Sequence, residues 1–189
     1  MDQETIWKTL ERLGAIQRGH FKDGDQHADI ALGAFDALTD PVATDSLAGE
    51  LSELAGRDAP DVILAMHVWT ALSGLLVAFR AGVKLGKPII SLSDEEGIIR
   101  GSRPLNAGGR AVLIGEVFTQ RDVSLARAQV EQAGASLVDV VALIEDGRAE
   151  GVRGLISFAS HRHPIATCPM CRDGHPLTES MSRNASTRS

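Results

Sequence analysis

Two cysteines near the C-terminal end carry the most distinctive chemistry in this sequence of 189 residues. Cys168 and Cys171 form a Cys-X-X-Cys pair, a recurrent half of structural zinc sites with tetrahedral ligands. Three histidines flank the pair, namely His161, His163 and His175. Their spacing matches no standard zinc finger, so we favour the interpretation that Pro169 shapes a turn and that both thiols are packed and inert. A zinc site at Cys168 and Cys171 is the alternative.

Two further histidines, His20 and His27, carry imidazoles that titrate near neutral pH and could act on a ligand. A loop histidine is more often a surface or hydrogen-bonded residue, and we expect that role for both. Neither the Ser-His-Asp order nor the Gly-X-Ser-X-Gly elbow of hydrolases occurs in the chain. The residue types alone therefore predict no hydrolase triad.

Apolar runs alternate with helical patterns along the chain, and these elements must position any functional residue. Mainly apolar runs predict buried strands at residues 61–65, 88–92, 111–115 and 137–144. Apolar residues at helical spacing predict helices at residues 5–13, 45–55, 70–84 and 124–133. Residues 19–26 are predicted to form a loop. The alternation predicts an α/β fold with a doubly wound, mainly parallel sheet.

Ligands of such sheets bind beyond the carboxyl ends of the strands. Four loops are predicted to reach that edge, at residues 66–70, 93–101, 116–124 and 145–148. The ligand-binding residues are therefore expected in these loops.

Composition excludes several classes of function. A net charge of −6 without a Lys/Arg stripe argues against a nucleic-acid partner. The longest apolar stretch, residues 62–79, contains polar residues and is broken by Gly74, so it predicts no membrane span. The acidic start lacks the basic segment of a secretory signal. We expect a cytoplasmic protein whose cysteines suit a reducing compartment.

Four motifs occur in an order that is typical of one family. They are Gly19-His20-Phe21, the strand at residues 61–65, the run at residues 108–116 and Cys168-Pro169-Met170-Cys171. On these motifs the chain resembles orotate phosphoribosyltransferases, from the first helix to about Leu177. The resemblance implies a type I phosphoribosyltransferase fold, with a mainly parallel sheet, flanking helices and a small hood region. It implies one domain over residues 1–179, with residues 161–177 packed on it and residues 180–189 as a flexible tail.

The resemblance also implies an activity. Orotate phosphoribosyltransferases move ribose 5-phosphate from phosphoribosyl pyrophosphate (PRPP) to orotate, magnesium accompanies the donor, and the enzymes are usually dimeric. In the family, backbone amides of a turn hold the 5-phosphate, paired carboxylates hold the ribose hydroxyls, and basic side chains neutralise the pyrophosphate.

The loop after the third strand departs from the family pattern of two acids followed by a Thr-Thr-Gly-Gly-Ser-like turn. Glu116 and Ser124 remain, but Val117 replaces the second carboxylate, and Asp122 begins the pair that replaces the glycines. A carboxylate 3–4 Å from a phosphate costs about 1–4 kcal/mol by Coulomb's law. Arg121 could offset part of this repulsion.

Two further loops of the donor site also differ. Trp69 and Thr70 stand where the family has close-approach glycines; we expect Trp69 to pack over the sheet and His67 to be a solvated loop residue. Residues 93–97 are acidic where the family is rich in Lys and Arg. We expect a solvated loop there, with a magnesium site as the alternative.

The contacts to orotate differ as well. Residues 22–27, which begin with Lys22, are more acidic and one residue shorter than the family's Leu-Ser-Ser-Gly-like turn. Asp146 stands where the family has an arginine that would pair with the carboxylate of orotate. Arg148 is the one nearby candidate to compensate.

We therefore predict an orotate-phosphoribosyltransferase-like protein with an eroded donor site, inactive or weak toward orotate and PRPP. It would act without a cofactor, as a non-catalytic subunit or regulator, or on a different small anionic or nucleotide-like ligand. A homodimer or a complex with a paralogue is expected. The predicted cleft is lined by Lys22, His67, Trp69, Thr70, Glu116, Thr119, Gln120, Arg121, Asp122, Ser124 and Asp146.

Two alternatives stay open. In an active, magnesium-dependent enzyme, Glu116 holds a ribose hydroxyl, Thr119 and Ser124 hold the 5-phosphate, Arg121 neutralises charge and Lys22 assists the leaving group. A structural or partner-binding protein would bind neither PRPP nor orotate, but would form a stable complex with another protein.

Overall fold

The computed structural model describes residues 1–33, 38, 40–67, 72–95 and 98–178. The α-helices within these ranges are α1 (Gln3–Arg12), α2 (Pro41–Gly56), α3 (Leu72–Leu85), α4 (Gln120–Gln132) and α5 (Pro169–Arg172). The strands are β1 (Ile16–Asp23), β2 (Gln26–Leu32), β3 (Val62–His67), β4 (Ile89–Glu95), β5 (Ile98–Gly101), β6 (Arg110–Gly115), β7 (Ser136–Glu145), β8 (Val152–Ser157) and β9 (Arg162–Pro164). Among these described helices, none has the length and apolar character needed to span a bilayer.

Six strands form the central sheet, in the order β5-β4-β3-β6-β7-β8. Neighbouring strands from β4 to β8 in this order are parallel, whereas β5 at the edge runs antiparallel to β4. The prediction of a mainly parallel α/β sheet is confirmed.

The central sheet is covered by helices on both faces. Ile63 of β3 and Ile114 of β6 pack in one core with residues of α1, α2 and α3. Leu64 and Leu113, the adjacent residues, pack in the other core with α4. Successive strand side chains point to opposite faces, so a strand buried on both faces must be continuously apolar. This double burial is why the sequence reveals these strands so clearly.

A second, three-stranded antiparallel sheet has the order β1-β2-β9. The prediction of a loop over residues 19–26 is wrong, because these residues belong mainly to the β1-β2 hairpin. Gly24 in the tight turn has φ +63°, which suits glycine. The register shifts between Arg18 and Phe21, and this irregularity breaks the alternation of buried and exposed residues that would have marked a strand.

The chain after β8 returns to the hairpin. β9 pairs with β2, and His163 lies opposite His27. After a short 3₁₀ helix (Ile165–Thr167) and α5, Thr178 donates its backbone N–H to the His20 carbonyl at 2.7 Å. Residues 161–178, which we call the C-terminal segment, therefore lie along the hairpin.

Two further elements differ from their predicted bounds. α4 begins at Gln120 rather than at Ser124, because Thr119 caps it. β4 continues to Glu95 and pairs with β5, where the sequence predicted a loop over residues 93–101. Asp94 of the acidic run thus lies on a strand. Residues 96–97 and the predicted tail at residues 180–189 lie outside the described ranges.

Candidate functional site

The loop between β6 and α4 lies at the carboxyl edge of the central sheet, where the ligand site is predicted. Gly115 ends β6, and a Cβ atom there would lie 2.5 Å from the Phe118 ring. Gly74 of α3 approaches the same loop, since its Cβ would lie 3.5 Å from the Glu116 backbone nitrogen. Glu116 is half-buried, and its carbonyl accepts a hydrogen bond from the Ile144 N–H at 2.9 Å. Glu116 is therefore fixed between β6 and β7 at this edge.

Thr119 and Asp122 cap the N-terminus of α4 reciprocally. The Asp122 carboxylate accepts hydrogen bonds from the Thr119 N–H at 2.8 Å and from the Thr119 hydroxyl at 2.7 Å. The same hydroxyl accepts a hydrogen bond from the Asp122 N–H at 3.3 Å. This capping box also places a negative charge at the positive end of the helix. Both side chains thus contribute to helix stability.

Two more predicted cleft residues hold the start of α4 in place. The Gln120 side-chain oxygen accepts a hydrogen bond from the Glu150 N–H at 2.9 Å, and the Gln120 N–H donates to the Arg148 carbonyl at 3.0 Å. Arg121 forms a 2.8 Å ion pair with Asp94 of β4. α4 is therefore tied to the loop after β7 and to the acidic run on β4. Ser124 is exposed on the same helix.

Asp146, just after β7, is almost completely buried, with 1% of its side chain exposed. Its Oδ2 atom lies 2.7 Å from Arg148 Nε and 2.9 Å from a terminal nitrogen of Arg162 on β9. Arg162 Nε also donates a hydrogen bond to Asp23 of β1 at 3.0 Å. The sequence indicated Arg148 as the one cation near Asp146. It did not indicate Arg162, because this residue reaches Asp146 only through the return of β9 to the hairpin.

The electrostatics of this group follow from its burial. Burial opposes the charged form of Arg162, but hydrogen bonds to Asp23 and Asp146 outweigh it and raise the pKa of Arg162 above its ordinary value. Arg148 Nε contacts Asp146 as an ion pair without the alignment of a hydrogen bond. The other carboxylate oxygen, Asp146 Oδ1, is buried and has no hydrogen-bond partner among the described residues. A buried polar atom of this kind is commonly satisfied by an ordered water molecule.

The four remaining predicted cleft residues lie elsewhere in the fold or outside the described residues. Lys22 is exposed on β1, opposite His27 in the hairpin register. His67 ends β3, in register with Ser93 of β4, which places its backbone at the carboxyl edge. Trp69 and Thr70 lie outside the described residues, so the expected packing of Trp69 stays a prediction.

Four side chains that could bind a metal converge beside the small sheet. His20, His27, Cys168 and Cys171, which we call the His/Cys cluster, each offer one ligand atom, and these atoms lie within 4.8 Å of one another. His20, His27 and Cys168 are buried, and Cys171 is exposed. Burial lowers the pKa of His27, as do the neighbouring His20 and Lys22. The surrounding side chains partly desolvate the Cys171 thiol, and this desolvation and the adjacent Cys168 raise its pKa.

The sequence identified the two cysteines of the cluster but not its histidines. Of the flanking candidates, His161 instead pairs with Asp29 at 2.9 Å, and His175 contributes its backbone carbonyl to His20. The real partners lie more than a hundred residues away, His27 being 144 positions from Cys171. The available signal was a pair of histidines on either side of a two-residue turn. It was overlooked because this stretch was predicted to form a loop.

Comparisons with curated proteins find orotate phosphoribosyltransferases that align over most of this chain. No family model matches the chain. The orotate phosphoribosyltransferase of Thermus thermophilus is 30% identical over 185 residues, which cover 92% of this chain and 98% of that protein. The orotate phosphoribosyltransferase of Heliobacterium modesticaldum is 25% identical over 198 residues, which cover 97% of this chain and 100% of that protein. Both alignments therefore span nearly the whole of the relative.

Solved structures share the fold at lower identity. Orotate phosphoribosyltransferase from Aeropyrum pernix gives a TM-score of 0.67 at 19% identity, covering 80% of this chain and 92% of that chain. Adenine phosphoribosyltransferase from Thermoanaerobacter pseudethanolicus gives 0.64 at 16% identity, covering 79% and 99%. The Mycobacterium tuberculosis orotate phosphoribosyltransferase in complex with inorganic phosphate gives 0.60 at 18% identity, covering 82% and 95%. The fold is that of type I phosphoribosyltransferases.

Proposed function

Because the chain belongs to the orotate phosphoribosyltransferase family, we propose that it binds a nucleotide-like ligand at the carboxyl edge of its central sheet and transfers phosphoribosyl groups to orotate weakly or not at all. It acts as a non-catalytic subunit or regulator, or on a ligand that is less anionic than orotate and PRPP. Its two cysteines suit a reducing compartment, which supports a cytoplasmic location.

The observation that carries this proposal is the capping box at the start of α4. A helix N-terminus binds phosphate through free backbone N–H groups and its positive partial charge. Here the Asp122 carboxylate accepts from the Thr119 N–H and hydroxyl, and its own N–H donates to Thr119. A phosphate about 4 Å from this carboxylate meets a repulsion of about 1–4 kcal/mol. The family's phosphate turn is thus replaced by a self-satisfied, negatively charged helix end.

The group around Asp146 supports a less anionic ligand. Its two arginines and two acids, namely Arg148, Arg162, Asp23 and Asp146, have formal charges that cancel. A ligand carboxylate would have to displace Asp146 from both guanidinium groups. This balance of charges favours a ligand that is less anionic than orotate.

Calorimetric titration with PRPP and magnesium, followed by an assay of orotate-dependent pyrophosphate release, tests the proposal. We expect a dissociation constant in the millimolar range or weaker, equivalent to about 4 kcal/mol of binding free energy or less. We also expect a turnover number far below about 1 s⁻¹, which is the low end of the range for ordinary enzymes. Orotate-dependent consumption of PRPP at ordinary rates would overturn the proposal. Absence of any thermal shift with nucleotides, together with a stable complex on pull-down, would favour a partner-binding protein.

The active enzyme is the second candidate, favoured by the position of Glu116 at the ligand edge. In that case magnesium neutralises the pyrophosphate of the donor, and Glu116 is the one acidic side chain between Gly115 and Thr119. The Glu116 carboxylate would then hold a ribose hydroxyl of the donor. In the same assay, Glu116→Gln would abolish any activity of the inherited pocket, whereas the exposed control Glu131→Gln would not. Activity that survives Glu116→Gln would come from another site.

A further inference from the structure

The His/Cys cluster takes no part in the proposed function, although four ligand atoms meet in it. Its histidines come from β1 and β2, and its cysteines come from the C-terminal segment. We propose that the cluster binds one zinc ion, which fastens the C-terminal segment to the β1-β2 hairpin. The sequence alone favoured inert thiols, but the addition of two histidines at the same point favours a metal.

The separations within the cluster are close to those of a tetrahedral zinc site. Zinc lies about 2.3 Å from sulfur and about 2.1 Å from nitrogen, so ligand atoms on a tetrahedron are about 3.3–3.8 Å apart. Cys168 Sγ is 3.5 Å from His20 Nε2, and Cys171 Sγ is 3.6 Å from the same nitrogen and 3.2 Å from His27 Nδ1. The two imidazole nitrogens are 2.9 Å apart. All four ligand atoms lie within 4.8 Å of one another, so the tetrahedron requires the two rings to move apart by about 0.5 Å and the widest pair to move closer by up to about 1 Å.

A hydrogen bond outside the cluster orients one of the ligands. His20 Nδ1 lies 2.9 Å from the His175 carbonyl oxygen, which can only accept, so this nitrogen carries the hydrogen. The lone pair of the neutral ring is then on Nε2, the atom that faces Cys168, Cys171 and His27. Metal-binding histidines commonly donate their second ring N–H to a carbonyl or carboxylate in this way.

The backbone of the C-terminal segment holds both thiols on one turn. Cys168 caps α5, and its carbonyl accepts a hydrogen bond from the Arg172 N–H at 3.2 Å. Pro169 is the first residue of α5, a position where its fixed φ is favourable. Gly174, with φ +74°, then reverses the chain so that the His175 carbonyl reaches His20. The Cys-X-X-Cys spacing therefore directs both sulfur atoms toward the hairpin.

The ligand types select the ion. Thiolate and imidazole ligands suit zinc, whereas magnesium and calcium prefer oxygen. Four protein ligands leave no open position for substrate, so the site is structural and the bound zinc has no catalytic part. Cys171 is the exposed member and offers the path of entry. Binding releases the two thiol protons to solvent, so affinity falls at low pH.

Metal analysis of the purified, reduced full-length protein is the first test. We expect about one zinc per chain. After removal of zinc with a chelator, addition of Co²⁺ is expected to give the intense visible bands of tetrahedral cobalt and a near-ultraviolet charge-transfer band from two thiolates. Substoichiometric zinc without a tetrahedral cobalt spectrum would overturn the proposal, as would recovery of Cys168 and Cys171 as a disulfide that zinc cannot compete with.

Matched variants assign the ligands. Cys171→Ser and His27→Gln are expected to weaken zinc binding more than about tenfold, whereas the nearby controls His161→Gln and His163→Gln are expected to leave it unchanged. Equal zinc affinity in all four variants would contradict the proposal. The folding of each variant is checked by circular dichroism before its titration.

Hydrogen exchange on the wild-type protein provides a readout that needs no variant. Removal of zinc is expected to speed amide exchange in the C-terminal segment and the hairpin, and to leave α4 unchanged. Exchange that is identical with and without zinc would show that no ion fastens the segment. Because PRPP and orotate are absent from these measurements, the zinc proposal and the proposed function fail independently.

Discussion

Arg162 connects the ligand edge of the central sheet to the small sheet at the scale of a single residue. Its guanidinium contacts Asp146, which follows β7, and Asp23, which ends β1. The Asp146 side chain is buried, and burial of a carboxylate is costly unless opposite charge lies nearby. Arg162 supplies part of that charge from β9. The position of β9 therefore determines the electrostatics of the candidate cleft.

Removing this guanidinium is expected to be costly. Arg162→Ala leaves Asp146 buried with Arg148 as its remaining cation, and we expect a loss of about 2–3 kcal/mol in the free energy of unfolding. Urea denaturation of the variant measures the loss. Arg172→Ala, which removes an exposed arginine beside Asp173, is the control and should change stability by less than about 0.5 kcal/mol. Equal stability of both variants would show that the Asp146 contacts contribute little.

Contacts within the candidate site could be predicted from sequence only where the two residues lie close together in the chain. Thr119 and Asp122 are three positions apart, in the spacing of a capping box, yet the helix was predicted to begin only at residue 124. Arg162 could not be assigned to Asp146, because nothing in the local sequence fixes how β9 returns to the hairpin. His20 and Cys168 are 148 positions apart and meet for the same reason.

At the scale of an element, the start of α4 shows that residues predicted to bind a ligand can instead stabilise a helix. The Asp122→Ala variant loses the carboxylate that caps the helix, and we expect it to lower the free energy of unfolding by about 0.5–1 kcal/mol. The same change removes a negative charge from the ligand edge, so the affinity for PRPP with magnesium should rise. Denaturation and calorimetry on one protein sample measure the two effects.

Glu131→Gln is the matched control for this element. Glu131 is exposed near the C-terminal end of the same helix, and its replacement should change neither stability nor PRPP affinity appreciably. A loss of stability in Asp122→Ala without any gain in affinity would contradict the idea that this carboxylate opposes phosphate binding.

The strands that are buried on both faces were predicted best from the sequence pattern. β6 is a continuous apolar run and β7 is apolar from Val140 to Ile144, because helices cover both faces of the sheet. The β1-β2 hairpin was missed because its bulge places His20 and Phe21, two consecutive residues, in buried positions. A period-two pattern cannot be recognised across such a shift.

At the scale of the whole molecule, α3 presents an apolar stripe. Leu76, Phe79 and Val83 are exposed at helical spacing, with 42%, 55% and 68% of their surface accessible. The resemblance to usually dimeric enzymes led us to expect self-association, and a second copy of the chain is the partner this stripe would bury. We expect Phe79→Glu to convert a dimer into a monomer in light-scattering chromatography.

Ile165→Glu is the control for the oligomeric state. Ile165 is also an exposed apolar residue, at 49%, but it lies in the C-terminal segment. Its replacement should leave the oligomeric state unchanged. A wild-type protein that is monomeric at micromolar concentration would contradict the expected dimer.

The small sheet is built from parts of the chain that leave the ribosome at very different times. β2 ends at Leu32, whereas its neighbour β9 starts at Arg162. Until translation passes that point, one edge of the nascent hairpin has unpaired backbone groups and is open to association with other chains. A truncated message that ends before β9 would therefore yield a chain that keeps this unpaired strand edge. Cellular protein quality control could distinguish such a chain from the full-length protein by that edge.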